Sequence, residues 1–517
     1  MNVVGCASGR RNLLSGILFA LAYAAGMPGY DVPVLPFICI APLLDMSVRS
    51  PSVRAAARQG WLAGTLASLP LYYWISHTIA VEGKLGWPVG ALAAILLSAY
   101  LGAYISVAAA GARRLYERFG DAGLWIFPFL WTGLELARTY LFSGFPWMLL
   151  GYALSNGELM RQAADLAGVY GLSFLLALSG TSLYMAGKSW SEGAFAGAIL
   201  RRVTPAVAVV LFLLFYGMSA VRQELPAAGV FRAGIAQGGV DQSEKWDPSN
   251  QVKTLKIYEE LTHLISDAGA KLIVWPETAA PFFYGWQEEL THELDRIGRE
   301  AGVPLIFGAP CFDHENGKFY NSVFFSDGRV APAGRYDKRR LVPFGEYIPL
   351  RKLLFFFQKL TEGSPEDFST GKAPSMFPVE GTLVSPSICY EAIFPMLIRD
   401  TVLGGATVLV NATNDAWFGD TVAPHQHLAM ARLRSVEMRR PMIRAANSGI
   451  SAIIDSHGRI VAWEGLFRKG IVVGDIQPGT GMTLYVKTGN LFSISCIIIC
   501  FFALFTPLRG RHGFGIF

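Results

Sequence analysis

Charge is scarce in this chain: Asp, Glu, Lys and Arg make up 16% of its 517 residues, against 52% that are hydrophobic. Soluble globular proteins carry about one quarter charge, so a protein solvated by water along its whole length is excluded. Cysteine is also sparse, six residues with no Cys-x-x-Cys spacing, which offers neither a disulfide framework nor a thiolate zinc cluster. Cys39, Cys496 and Cys500 fall within apolar runs and Cys6 near the start, leaving Cys311 and Cys389 in the more polar stretch. His425 and His427 form an isolated pair without further ligands near them, so no metal and no other cofactor is expected. The net charge of +5 comes largely from arginines in short loops between apolar runs. That is a membrane-topology signal and not a nucleic-acid surface, so no nucleic-acid partner is expected.

The charge deficit is uneven. Charged residues are sparse before Arg222, ordinary from Arg222 to Lys487, and nearly absent from Thr488 to Leu508. A membrane-crossing helix needs ~20 apolar residues. Runs free of charge occur at 12–30, 59–81, 85–112, 166–187, 203–221 and 488–508, and weaker ones at 32–48 and 123–143. Glu135 and Arg138 interrupt the last of these and, one helical turn apart, are expected to pair. The first run is too long for a cleaved signal and is followed by others. The expectation is an α-helical membrane bundle of eight spans: seven in residues 1–221, then a domain at 222–487, then one span and a tail at 488–517. Thirteen cations, from Arg10 and Arg11 through Arg49, Arg113 and Arg202 to Arg509 and Arg511, fall on one side, against Lys84 and Arg161 on the other. The positive-inside rule then makes both termini cytoplasmic and the 222–487 domain extracytoplasmic, which in a bacterium means the inner membrane with that domain on its periplasmic face.

Within 222–487, strand-like runs at 230–237, 271–277, 304–310, 319–327, 382–391, 406–411 and 448–455 alternate with helical ones at 250–268, 286–301 and 424–439. The pattern predicts an α/β fold of layered αββα type. An insertion at Leu353–Phe368 carries Leu354-Phe355-Phe356-Phe357, then a polar stretch; it predicts an arm that dips into the membrane interface, the alternative being that these phenylalanines fill the domain's own core.

Three residues near the ends of apolar runs suit acyl transfer. A thiol attacks as thiolate, so Cys389 needs a base, and the Glu277 carboxylate can serve. The oxyanion that follows needs a cation, which Lys338 supplies. Taken singly, Cys389 also reads as a small buried hydrophobe, Glu277 as a helix cap and Lys338 as part of a solvated charge run. Their combination and order favour the chemistry.

The segments Trp275-Pro276-Glu277, Tyr336 to Glu346 (YDKRRLVPFGE) and Ile388-Cys389-Tyr390-Glu391, in that order, resemble the nitrilase, or carbon–nitrogen hydrolase, superfamily. With the expected spans around them, the whole chain resembles the bacterial apolipoprotein N-acyltransferase family. The resemblance implies a ping-pong reaction with catalytic Glu277, Lys338 and Cys389. A phospholipid such as phosphatidylethanolamine gives an acyl chain to Cys389, and a diacylglyceryl apolipoprotein takes it on its terminal amine. It further implies supporting roles for Glu346, Tyr390 and Glu391, and substrate contacts for Trp246, Trp417 and Phe418. A membrane-anchored amidase using water as acceptor, and a transporter or scaffold with a degenerate outer domain, are the competing readings.

Overall fold

The computed structural model describes residues 3–348 and 367–506. Between Phe231 and Ile476 the apolar runs build two six-stranded sheets. In the first, β1 (Phe231–Gln237), β2 (Leu272–Val274) and β3 (Leu305–Asp313) run parallel. The strands β4 (Lys318–Ser326) and β5 (Gly334–Asp337) extend this sheet antiparallel on one side. In the second sheet β6 (Phe377–Val379), β7 (Thr382–Ile388), β8 (Val408–Thr413), β9 (Met442–Ala446), β10 (Ser451–Ile454) and β11 (Ile460–Glu464) follow one another in space. There β7, β8 and β9 are parallel. The last strand, β12 (Gly470–Ile476), returns to pair with β1. The middle strands are buried at nearly every position, as parallel strands covered on both faces must be.

Ile235, Val274, Ile306 and Val323 of the first sheet meet Ile388, Val410, Ile443 and Ile453 of the second in one core. The helices Gln251–Asp267 and Glu288–Ala301 cover the first sheet through Leu255, Leu261, Ile265, Leu294 and Ile297. Helices Pro395–Leu403 and Ala423–Met438 cover the second through Ile398, Val402, Ala431 and Met438. The layer order is therefore helix, sheet, sheet, helix, as expected. Each expected strand and helix is present, and β5, β6, β9, β11 and β12 are additional.

The helical part differs from a set of eight uninterrupted spans. Among the described residues, three helices are long and apolar enough to cross a membrane by length and composition: Trp87–Phe119, Met160–Ser191 and Ala196–Arg222. The weaker run at 32–48 is split into Leu35–Ile38 and Ile40–Arg49, and 123–143 holds only the 14-residue Phe127–Tyr140. Leu491–Phe505 is a shorter apolar helix. Prolines mark two of these starts, where a missing N–H costs nothing, and 14 residues rise ~21 Å against ~30 Å of hydrocarbon. Leu92, Leu96, Phe215 and Phe501 are more than half exposed on their helices, an outward apolar face that lipid solvates. The expected Glu135–Arg138 pair does not form among the described residues. Glu135 accepts instead from the Leu150 N–H (2.7 Å) and the Trp131 indole (3.0 Å). Arg138 donates to the Tyr72 hydroxyl (2.7 Å) and the Phe145 carbonyl (3.0 Å). The chain at 145–150 folds back over the helix and offers each group a nearer partner. The Leu353–Phe368 insertion, apart from its last two residues, lies outside the described residues.

The two parts share one core. Tyr390, Phe394, Met430, Leu433 and Val436 pack into the same apolar cluster as Phe19, Tyr72, Trp131 and Leu172 of the helical part. The helix Ala164–Ser191 breaks at Ala167 and Gly168. Gly168 takes a φ of +66°, and a Cβ there would meet the Tyr485 ring at 2.8 Å. The helix restarts at Val169, whose N–H donates to Glu437 Oε1 at 2.7 Å, and Arg434 donates to the same oxygen at 2.9 Å. A carboxylate here caps a helix start. Burial pushes Glu437 up to about 7 despite Arg434 and the Val169 N–H, which pull it down. A carboxyl raised from about 4.3 lends stability that is full below that pH and is lost as pH rises to about 7. Thermal unfolding across this window should therefore flatten with pH in Glu437→Gln. Glu437→Ala should unfold at lower temperature throughout, by roughly 3 kcal/mol for a broken buried pair.

Candidate active site

The end of β2 carries Trp275, Pro276 and Glu277, and β3 passes directly beneath them. A Cβ at Gly308 would come within 2.4 Å of the Pro276 carbonyl and 2.7 Å of Glu277 Cα, so only glycine lets the strands approach this closely. Lys338 follows β5 and is anchored by its N–H to the Asn321 carbonyl at 2.9 Å. Its ammonium is 1% exposed and donates to Glu277 Oε1 at 3.1 Å and Glu346 Oε1 at 2.8 Å. The Asn321 amide donates to both carboxylates, 2.8 Å each, and Glu277 Oε2 accepts from the Asn414 N–H at 3.0 Å. Burial alone would lower the Lys338 ammonium, but the charges of Glu277 and Glu346 outweigh it and hold Lys338 well above its ordinary value. It is a fixed cation.

Cys389 sits at the end of β7, in the turn to the helix Pro395–Leu403. It is buried, with a left-handed φ of +50°, a conformation costing a non-glycine residue of order 1–3 kcal/mol unless its surroundings enforce it. Burial pushes the thiol well up, the Glu277 charge adds to this, and Lys338 and the Thr413 hydroxyl oppose it. The resting group is thus a thiol beside a carboxylate, which suits base-assisted attack and not a standing thiolate.

The other expected residues divide. Glu391 is fully buried and accepts from the N–H groups of Arg339 (2.6 Å), Arg340 (3.0 Å) and Ile388 (2.7 Å) and from the Tyr336 hydroxyl. It ties the Lys338 segment to the Cys389 strand, and no hydrogen bond from it to Cys389 Sγ is found among the described residues. Tyr390 is buried, and its hydroxyl donates to the Gly144 carbonyl at 3.1 Å, fixing the Cys389 turn to the helical part. Phe418 packs its ring 4.9 Å from Trp74 and 5.7 Å from Trp147, within an aromatic group. Trp246 and Trp417 are nearly half exposed.

Sequence reasoning missed several groups. Lys245 is 1% exposed, beside Trp246, and donates to the Glu277 carbonyl (3.2 Å) and the Thr278 hydroxyl (2.6 Å). Burial lowers it to about 8, against the opposing pull of Glu277. His425 is exposed whereas His427 is fully buried against Asp415, so the two are not a pair. Asn321 and Arg444 had one visible signal in common, a polar residue inside an apolar run, whereas Asp415 and His427 sit among polar neighbours and had none.

Residues 232–483 match the carbon-nitrogen hydrolase family, and residues 15–182 match the apolipoprotein N-acyltransferase N-terminal domain. An apolipoprotein N-acyltransferase of Geobacter metallireducens is 38% identical over 492 residues, 94% of each chain. The chain belongs to the apolipoprotein N-acyltransferase family. A further member, from Azotobacter vinelandii, is 33% identical over 91% of both chains. A solved amidase from Nesterenkonia sp. AN1 has 18% identity and a TM-score of 0.39, covering 52% of this chain and 98% of its own. The family assignment accounts for the joining of a two-sheet α/β unit to apolar helices in one chain.

Alkylation by iodoacetamide reports the thiolate fraction of Cys389. With the thiol raised, the reaction should be slow at neutral pH and climb steadily into the alkaline range. Lys338→Met removes the cation that opposes the rise, so the rate at any fixed pH should fall further. A rate at or above that of the parent would show that Lys338 does not act on the thiol.

Proposed function

We propose that the chain transfers a fatty acyl group from a membrane phospholipid to an apolipoprotein, through a thioester on Cys389. The acceptor is the α-amine of the N-terminal S-diacylglyceryl cysteine, the donor phosphatidylethanolamine, and the step the last in lipoprotein maturation. The reading is carried by the meeting of a buried, left-handed Cys389 with the Glu277 carboxylate and the Lys338 cation, in a chain of this family.

As Sγ attacks the ester carbonyl, Glu277 takes the thiol proton and Lys338 bears the charge that moves onto the acyl oxygen. Collapse breaks the ester C–O bond, and the lysophospholipid alkoxide leaves with the proton from Glu277. The amine then attacks the thioester and yields its proton to Glu277, a second oxyanion forms at Lys338, and collapse breaks the C–S bond. The departing thiolate recovers the proton. A thioester is more reactive toward an amine than the oxygen ester that supplied the chain, which gives the sequence its direction. Glu346 keeps Lys338 charged and in place, Tyr390 and Glu391 fix the turn, and Trp246, Trp417 and Phe418 line the approach of the acyl chains.

On this reading residues 1–221 and 488–517 are membrane segments, eight spans in all, around an extracytoplasmic catalytic domain at 222–487. The bundle is the bacterial inner membrane's, with both termini cytoplasmic and the domain on the periplasmic face.

The deciding assay is acyl transfer from phosphatidylethanolamine to a diacylglyceryl-cysteine peptide. Cys389→Ala should abolish both acyl-enzyme and product, Cys389→Ser nearly so, and Cys311→Ala neither. Glu277→Gln should form no thioester, and Lys338→Ala should lose ~10²-fold in rate, the scale of one oxyanion donor. Free fatty acid without peptide product would instead indicate a hydrolase. Topology is checked separately: a reporter after Phe517 should work only if it is active in cytoplasm, and one within 222–487 only if active outside it.

A further inference from the structure

The Cys389 carbonyl oxygen is held from two sides. The Asn411 amide donates to it at 3.3 Å, and His427 Nε2 lies 3.2 Å away. On the other edge of the ring, His427 Nδ1 is 3.0 Å from Asp415 Oδ1 and 3.1 Å from Arg444 Nη2. Arg444 also donates to Asp415 Oδ2 at 2.6 Å and to Asn411 Oδ1, and the Thr413 hydroxyl donates to Asp415 Oδ1 at 2.9 Å. Asn411, Asp415, His427 and Arg444 are essentially without solvent exposure. Among the described residues, none of them forms a hydrogen bond or ion pair with Glu277 or Lys338, so the acid, base and oxyanion chemistry leaves this group unused.

The neighbours fix where the ring carries its proton. A neutral ring with its proton on Nε2 donates to the Cys389 carbonyl and accepts from Arg444 at Nδ1, which offsets the nearness of Asp415 Oδ1, itself bonded by the Thr413 hydroxyl. A charged ring donates to Asp415 and to the carbonyl together. The third form, protonated at Nδ1 alone, would set a bare nitrogen lone pair against the carbonyl oxygen and is disfavoured. Burial and Arg444 lower His427 while Asp415 raises it, but both surviving forms donate from Nε2.

A trans peptide points its C=O and its N–H in opposite directions. Holding the Cys389 carbonyl toward His427 and Asn411 therefore turns the Tyr390 N–H to the opposite face of the turn. It also helps hold the turn in which Cys389 takes its left-handed φ, a conformation that persists where the surroundings over-determine it.

We propose that His427, held by Asp415 and Arg444, is a positioning residue that sets the Cys389–Tyr390 peptide so that the Tyr390 N–H joins Lys338 in receiving the acyl oxyanion. The inference rests on Cys389 being the acylated residue. It separates two reactions of the same sulfur: thioester formation passes through an oxyanion, whereas alkylation by iodoacetamide does not. A residue that serves only the oxyanion affects the first and spares the second.

The test uses the full-length protein in mixed micelles with phosphatidylethanolamine. Acyl-Cys389 is followed by quenched-flow and mass analysis, and Cys389 alkylation is measured at one alkaline pH. His427→Leu fills the site without a donor, and His427→Gln restores one. Asn411→Asp, which keeps the shape and the Arg444 contact, removes the other donor to the same carbonyl. Acylation should fall at least about tenfold in His427→Leu, with alkylation within about twofold of the parent, and His427→Gln should regain most of the loss. Asn411→Asp should shift the ratio of the two rates the same way, which decides the matter if His427→Leu does not fold. Unchanged acylation, or acylation and alkylation falling together, overturns the inference. An acyl group found in the parent on a residue other than Cys389 overturns the Cys389 assignment itself, and this inference with it.

Discussion

The active site depends on one buried carboxylate that takes no part in bond making. Glu391 accepts from the backbone of Arg339 and Arg340 on one side and of Ile388 on the other. Those two segments belong to different sheets, so this single side chain spans the sandwich at the point where Lys338 and Cys389 must meet. Burial raises Glu391, and the surrounding N–H groups, the Tyr336 hydroxyl and Lys338 pull against that rise. An uncompensated carboxylate there would cost several kcal/mol; with its donors in place it fixes the spacing of cation and sulfur more firmly than a pair of apolar residues would.

The same logic recurs around it. Lys338 is shared by two carboxylates, Asn321 bridges both, and Lys245 holds the backbone of Glu277 from the far side. Each charged group at the site is neutralised by fixed dipoles or fixed charges, and little is left for solvent to do. That is the arrangement expected of a site whose reaction develops charge and whose reactants are apolar chains.

Much of this was legible in the sequence, for identifiable reasons. Glu277, Lys338 and Cys389 lie at the ends of apolar runs, and their segments carry recognisable spacing. Most central strands are continuous apolar stretches that announce themselves, but β9, interrupted by Arg444, does not. What escaped were groups whose meaning depends on distant partners. The seven-residue β12 gains its place only by pairing with β1, some 240 positions earlier. His427 read as half of a pair with His425, because i and i+2 are neighbours in sequence and point apart on a helix. Glu135 and Arg138 read as partners for the opposite reason: one turn apart on a helix is close, but the returning chain at 145–150 was closer. Hydropathy counts residues and does not see where the backbone turns, which is why the run at 32–48 looked continuous and is two helices.

The bond from the Tyr390 hydroxyl to the Gly144 carbonyl joins the residue after Cys389 to a loop that leaves an apolar helix. With the shared core on either side of it, the Cys389 turn is tied directly to the helices. If those helices float in a bilayer, the sulfur rides at one altitude above it, as a stylus does above a record. Any acceptor anchored by its own lipid presents its terminal amine at an altitude set by that lipid, whatever polypeptide trails behind. A catalyst built this way selects by elevation, and can serve chains that have nothing in common beyond their first residue.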